Sequence, residues 1–110
     1  MTGVVFRGVD DVPTFAGPDG ARIQELAGRS TGVASHSIAI ITHPVGMSTV
    51  EHHHTVADEV YFVRSGMGRI RVDDETRAIG PGDVITIRPG QRHKLWADGD
   101  EDLVLLVTCA

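Results

Sequence analysis

The chain holds one cysteine, one tryptophan and one tyrosine in 110 residues, and no long apolar run. The single thiol, Cys109, excludes an internal disulfide framework and reads as a buried, inert group, since it closes the apolar run at residues 103–109. Nothing approaches the ~20 consecutive apolar residues a membrane helix needs, so no membrane partner is expected. Residues 1–7 lack a charged region followed by an apolar stretch, the mark of a secretory leader, which makes a cytoplasmic protein the default. A basic cluster is also missing. With 10 Lys and Arg against 15 Asp and Glu the formal charge is −5, a poor match for nucleic acid. Helical periodicity is scarce as well. The best segment, residues 21–27, is closed by Gly20 and Gly28. It is too short for the ~10–12 residues of an ordinary helix and reads as a strand.

Strand signals are abundant. Residues 35–42, 59–64, 69–72, 76–79, 84–87, 92–96 and 103–109 are rich in β-branched or alternating residues. Gly, Pro and Asp turns separate them, among them Ser65-Gly66-Met67-Gly68, Gly80-Pro81-Gly82-Asp83 and Arg88-Pro89-Gly90. Short strands at intervals of about ten residues predict an all-β sandwich or barrel. The length allows one domain, residues 1–110, and a 41% hydrophobic share supports a packed core.

The segment Glu51-His52-His53-His54-Thr55-Val56-Ala57-Asp58-Glu59 carries the strongest chemical signal. On an extended chain His52 and His54 project to one face and His53 to the other. Glu59 has the wrong parity for the same strand, so a turn over residues 55–58 is required before it can face them across a hairpin. His93 stands far along the chain, just after a Pro-Gly turn. Three imidazoles and one carboxylate converging inside a barrel would suit one divalent transition metal: Mn, Fe, Co, Ni, Cu or Zn. A histidine triplet taken by itself is more often a solvated polar patch.

The spacing Gly46-(X)5-His52-X-His54-(X)4-Glu59-(X)6-Gly66 resembles the first motif of the cupins at every fixed position. Gly82-(X)5-Arg88-X-Gly90-(X)2-His93 resembles the second, with Arg88 where proline is usual and Ala97 where a final asparagine is usual. The resemblance covers residues 35–107, and residues 1–34 would add N-terminal strands. It implies the cupin double-stranded β-helix, a jelly-roll barrel, frequently a homodimer, with His52, His54, Glu59 and His93 as metal ligands. It also implies a range of metal-dependent chemistry on small organic molecules: dioxygenase, decarboxylase, isomerase or lyase. A non-catalytic barrel that binds a small ligand, or a sensor module, is the alternative.

Other residues are placed by parity. Tyr61 shares the face of Glu59 and is the candidate catalytic residue, a hydrogen-bonding group or proton donor for substrate, with packing in the pocket wall as the equal alternative. Leu95 shares the face of His93 and should line the same cavity, whereas Trp96 points away. His36 shares parity with Ile38 and Ile40, although a surface place is the simpler expectation. His43, beside Pro44, reads as a loop residue. Arg88, Arg92 and Lys94 read as a solvated face rather than an anion-binding rim.

Overall fold

The computed structural model describes residues 4–110, so Met1, Thr2 and Gly3, where the leader reading begins, lie outside the described residues. Among the described residues nine strands follow one another: β1 (Phe15–Ala16), β2 (Arg22–Ala27), β3 (Ser37–His43), β4 (Glu59–Ser65), β5 (Gly68–Val72), β6 (Glu75–Ile79), β7 (Val84–Ile87), β8 (His93–Trp96) and β9 (Leu103–Cys109). Short 3-10 turns at Val9–Asp11, Pro18–Gly20 and Arg29–Thr31 are the only helical elements among the described residues. No helix there is long and apolar enough to cross a membrane.

The strands form two antiparallel sheets, a large one ordered β1-β2-β3-β9-β4-β7 and a small one ordered β6-β5-β8. Residues 47–54 run beside β8 through bridges at Ser48–Trp96 and His52–His93 and extend the small sheet by one irregular strand. Backbone bonds hold that pairing, with His52 and His93 exchanging N–H···O contacts of 3.1 and 2.9 Å. The two sheets face each other as a jelly roll, and their ladders do not close into one continuous hydrogen-bonded barrel.

The alternation expected from the sequence fixes which side chains meet between the sheets. Along β4, Glu59, Tyr61 and Val63 are buried while Phe62 and Arg64 are exposed. Along β9, Leu103, Leu105 and Val107 point inward. Ile70, Ile79, Ile87 and Leu95 complete the apolar interior from β5 to β8. Each of these aliphatic side chains contributes about 1.5–3 kcal/mol by leaving water. On the outer face Trp96 lies under the Arg69 guanidinium at 4.8 Å and the Lys94 ammonium at 5.3 Å, as its parity requires. The turn between β4 and β5 depends on Gly66, whose φ of +83° is costly for any residue with a Cβ.

Candidate metal centre

His93 opens β8 and is only 2% exposed, which places its ring between the sheets. The bridge to His52 sets that residue alongside it, with ring centroids 4.0 Å apart. His54, two residues on, projects to the same side, 5.7 Å from His93. His53 faces solvent, as the period of an extended chain demands. Bends at Thr55 and Val56 then release the chain into β4, which begins at Glu59.

One expectation needs correction here. Glu59 does not face the histidines across a paired hairpin. β4 pairs with β7 and β9 in the large sheet, whereas the histidines belong to the small sheet and its extension. The carboxylate therefore meets the imidazoles from the opposite wall. One ligand atom from each of His52, His54, Glu59 and His93 falls within 4.8 Å of all the others.

Hydrogen bonds decide which ring atoms are free. The Nδ1–H of His52 donates to the Val50 carbonyl at 2.9 Å, and that of His93 to the Gln91 carbonyl at 3.1 Å. A carbonyl only accepts, so in both neutral rings the lone pair lies on Nε2, the tautomer a metal ligand needs. The Nε2 atoms of His54 and His93 are buried with no hydrogen-bond partner among the described residues. Their nearest charged neighbour is Oε1 of Glu59, at 3.6 and 3.4 Å. Those separations are those of charge contacts rather than well-formed hydrogen bonds. Buried nitrogens left without partners are costly, and a divalent cation on the cluster would satisfy both. The donor set fits such an ion.

Electrostatics point the same way. Burial pushes Glu59 toward the neutral form, but contact with His93, the Tyr61 hydroxyl and the charge of His54 outweigh it and hold its pKa below the usual carboxylate range. Burial likewise opposes charge on His93, yet Glu59 and the Gln91 carbonyl raise its pKa. Carboxylate and imidazole thus each favour the charged form of the other. The Tyr61 hydroxyl donates to Glu59 Oε1 at 2.9 Å, and burial followed by the Glu59 charge drives its pKa far upward.

The cluster lies in the wall of a cavity of about 480 Å³ that Ile23, Ile41, Leu95, Leu105 and Val107 make largely apolar. Leu95 lines it as parity predicts. Tyr61 lines it too, but its proton is committed to Glu59 rather than turned to a ligand. His36 is exposed, bonded to Ser35 Oγ at 2.9 Å and outside this cavity. Arg88, Arg92 and Lys94 are absent from the wall. Cys109 is half-buried rather than enclosed, and burial raises its pKa, so its thiol stays protonated and poorly reactive.

His43 is the second correction. It is no loop residue but the last residue of β3, 6% exposed, and it lines the cavity. The adjacent Pro44 masked this, because proline usually marks a turn, although here the strand runs to its edge. The turn Pro18–Gly20 also covers part of the cavity. It is latched by Asp19, which accepts from the Val50 N–H at 3.0 Å. No periodic signal in residues 17–21 marks that contact.

The comparisons with known proteins agree with this architecture. Residues 39–109 match the family described as "Cupin domain". An uncharacterised protein of Methanocaldococcus jannaschii is 32% identical over 99 residues, covering 88% of this chain and 78% of that protein. A predicted oxalate decarboxylase from Thermotoga maritima superposes with a TM-score of 0.82 at 21% identity, over 96% of this chain and 97% of the other. A polyketide cyclase from Streptomyces resistomycificus superposes at 0.83 and 20% identity, over 99% and 79%. The chain belongs to the cupin domain family.

Proposed function

We propose that the protein is a single cupin domain that binds one divalent transition metal through His52, His54, Glu59 and His93, and that it uses this centre as an enzyme on a small organic molecule. The observation that carries the reading is the pair of buried, unpartnered Nε2 atoms facing a carboxylate from the opposite sheet. A bound divalent metal would supply Lewis-acid polarisation of a coordinated oxygen. The chain's own residues do the rest. The Val50 and Gln91 carbonyls hold the His52 and His93 rings in register. Tyr61 orients Glu59 and keeps Oε1 from turning away. The aliphatic wall excludes water from one side of a ligand.

Four protein ligands leave fewer open positions than a two-His-one-carboxylate set. That disfavours a 2-oxoglutarate oxygenase, which must seat both co-substrate and oxygen. The fold does not choose among dioxygenase, decarboxylase, isomerase and lyase, because cupin-fold neighbours carry names as different as polyketide cyclase and oxalate decarboxylase. The apolar wall favours one second reading, a barrel that holds a small ligand without turnover.

A product and oxygen-uptake screen separates the two. Metal-loaded protein and its His54→Ala variant would be offered catechols, keto acids and hydroxy acids. Turnover by the parent and loss in the variant is expected. Stoichiometric binding without turnover across the panel would move the protein to the second reading.

A further inference from the structure

His43 is a buried polar side chain with no role in the cluster. Its ring sits 6% exposed in the cavity wall, and its Nδ1 has no hydrogen-bond partner among the described residues. A buried imidazole nitrogen left unpaired is unfavourable, and in a cavity wall a bound molecule is the natural partner. Strand register shows where it lies. Inward rows of the large sheet run from Glu59–Cys109–Ser37 through Tyr61–Val107–Ala39 and Val63–Leu105–Ile41 to Leu103–His43. Six residues of β3 separate the first row from the last, about 20 Å of strand. Between Glu59 and His43 the large-sheet wall of the cavity is mostly aliphatic, with Ile41, Leu105 and Val107, while Asp19 and Thr49 add polar groups from the Pro18–Gly20 turn and the small-sheet extension. On its large-sheet wall the cavity thus has a polar pole at each end, Glu59 and His43, with an aliphatic stretch between them.

We infer that His43 forms a hydrogen-bonding subsite at the far pole, for a hydroxyl or carbonyl on an elongated, apolar-bodied small molecule whose oxygen-bearing head meets the metal cluster. The inference rests on the metal reading for its head-group end only. Burial, partly offset by the nearby Asp19 carboxylate, lowers the His43 pKa to about 4, so at neutral pH the ring is uncharged and offers one donor and one acceptor. An uncharged partner group is therefore preferred over an anion at this pole. Ligand selection follows from the same atom: a molecule of the right length without the terminal group would leave Nδ1 unpaired.

The test uses two homologous series on the zinc-loaded protein, straight-chain alkanoates and their ω-hydroxy counterparts, from butanoate to dodecanoate, measured by calorimetry. At one chain length the terminal hydroxyl should improve affinity by roughly 10- to 100-fold. His43→Leu should erase that gain and leave the alkanoates bound as before, while His43→Gln should restore part of it. If His43→Leu does not fold, His43→Phe, which keeps the ring volume, serves for the comparison. A hydroxyl without effect at every length, a gain that survives replacement of His43, or no binding by any member would overturn the subsite. Repeating the titration without Zn2+ tests the metal reading separately: affinities indifferent to zinc would remove the head-group anchor and leave the hydroxyl–His43 coupling readable.

Discussion

Tyr61→Phe deletes one oxygen from the wall of the cavity and nothing from its volume. Glu59 would lose its 2.9 Å donor and with it a fixed orientation. Supporting hydrogen bonds of this kind are worth about 10- to 100-fold in metal affinity. The expected outcome is a zinc affinity weaker by that factor in a folded protein, checked by competition with a chromogenic chelator. Unchanged affinity would mean that Glu59 needs no support. His43 carries a prediction of opposite character. Its pKa is about 4 in the folded chain against an ordinary 6.5, so the unfolded chain binds a proton first as pH falls. Stability from the neutral ring is complete above 6.5, declines as pH drops below it, and is fully lost below 4. The loss is on the order of 3 kcal/mol. Denaturant unfolding at pH 7 and pH 4 should show it in the parent and not in His43→Leu. The contrast between these residues explains what could be read from the sequence. His52, His54, Glu59 and His93 stand at the intervals of the cupin motifs. His43 belongs to no spacing pattern, and only the path of β3 reveals that its side chain turns inward.

Among the elements, the β4–β5 turn tolerates little change at Gly66. A Cβ on Gly66 would collide with the backbone at Asp102 and Leu103 and would have to occupy the left-handed region. Gly66→Ala should cost about 2–4 kcal/mol, summed from overpacking and backbone strain, and a chemical-denaturation midpoint unchanged from the parent would contradict this. Strands were legible because each is bounded by such a turn and each alternates: β4, β5, β8 and β9 fall where the pattern of residues 59–109 puts them. Partners were not legible. Whether residues 47–54 pair with β4 or with β8 depends on bridges 41 and 48 positions apart, His52–His93 and Ser48–Trp96, and local alternation contains nothing about them. Hence the hairpin expected between His54 and Glu59 gives way to two strands on opposite sheets.

For the whole molecule that arrangement has a consequence. Three prospective ligands lie on the small sheet and its extension, and the fourth lies on the large sheet, while backbone ladders do not join the two into a closed barrel. A metal on all four would tie the walls together, so occupancy should register in global stability rather than as local ordering. At a free zinc concentration of about 100 times Kd the gain is about 2.7 kcal/mol. Thermal melts at pH 7.5 with Zn2+ and with chelator should differ accordingly, and the difference should vanish in His54→Ala. Acid opposes the metal, because the raised pKa of His93 lets a proton compete for the site beginning above its ordinary value. The apolar interior of Val63, Ile70, Ile87 and Leu103 lies outside the cavity and should keep the metal-free chain folded.

Elemental analysis of untagged protein, purified without chelators and paired with the His54→Ala and His93→Ala variants, reads out the ligand set itself. About one transition metal per folded chain is expected in the parent and little in either variant. Less than roughly 0.2 metal per chain in the parent, or full occupancy in both variants, would overturn that ligand set.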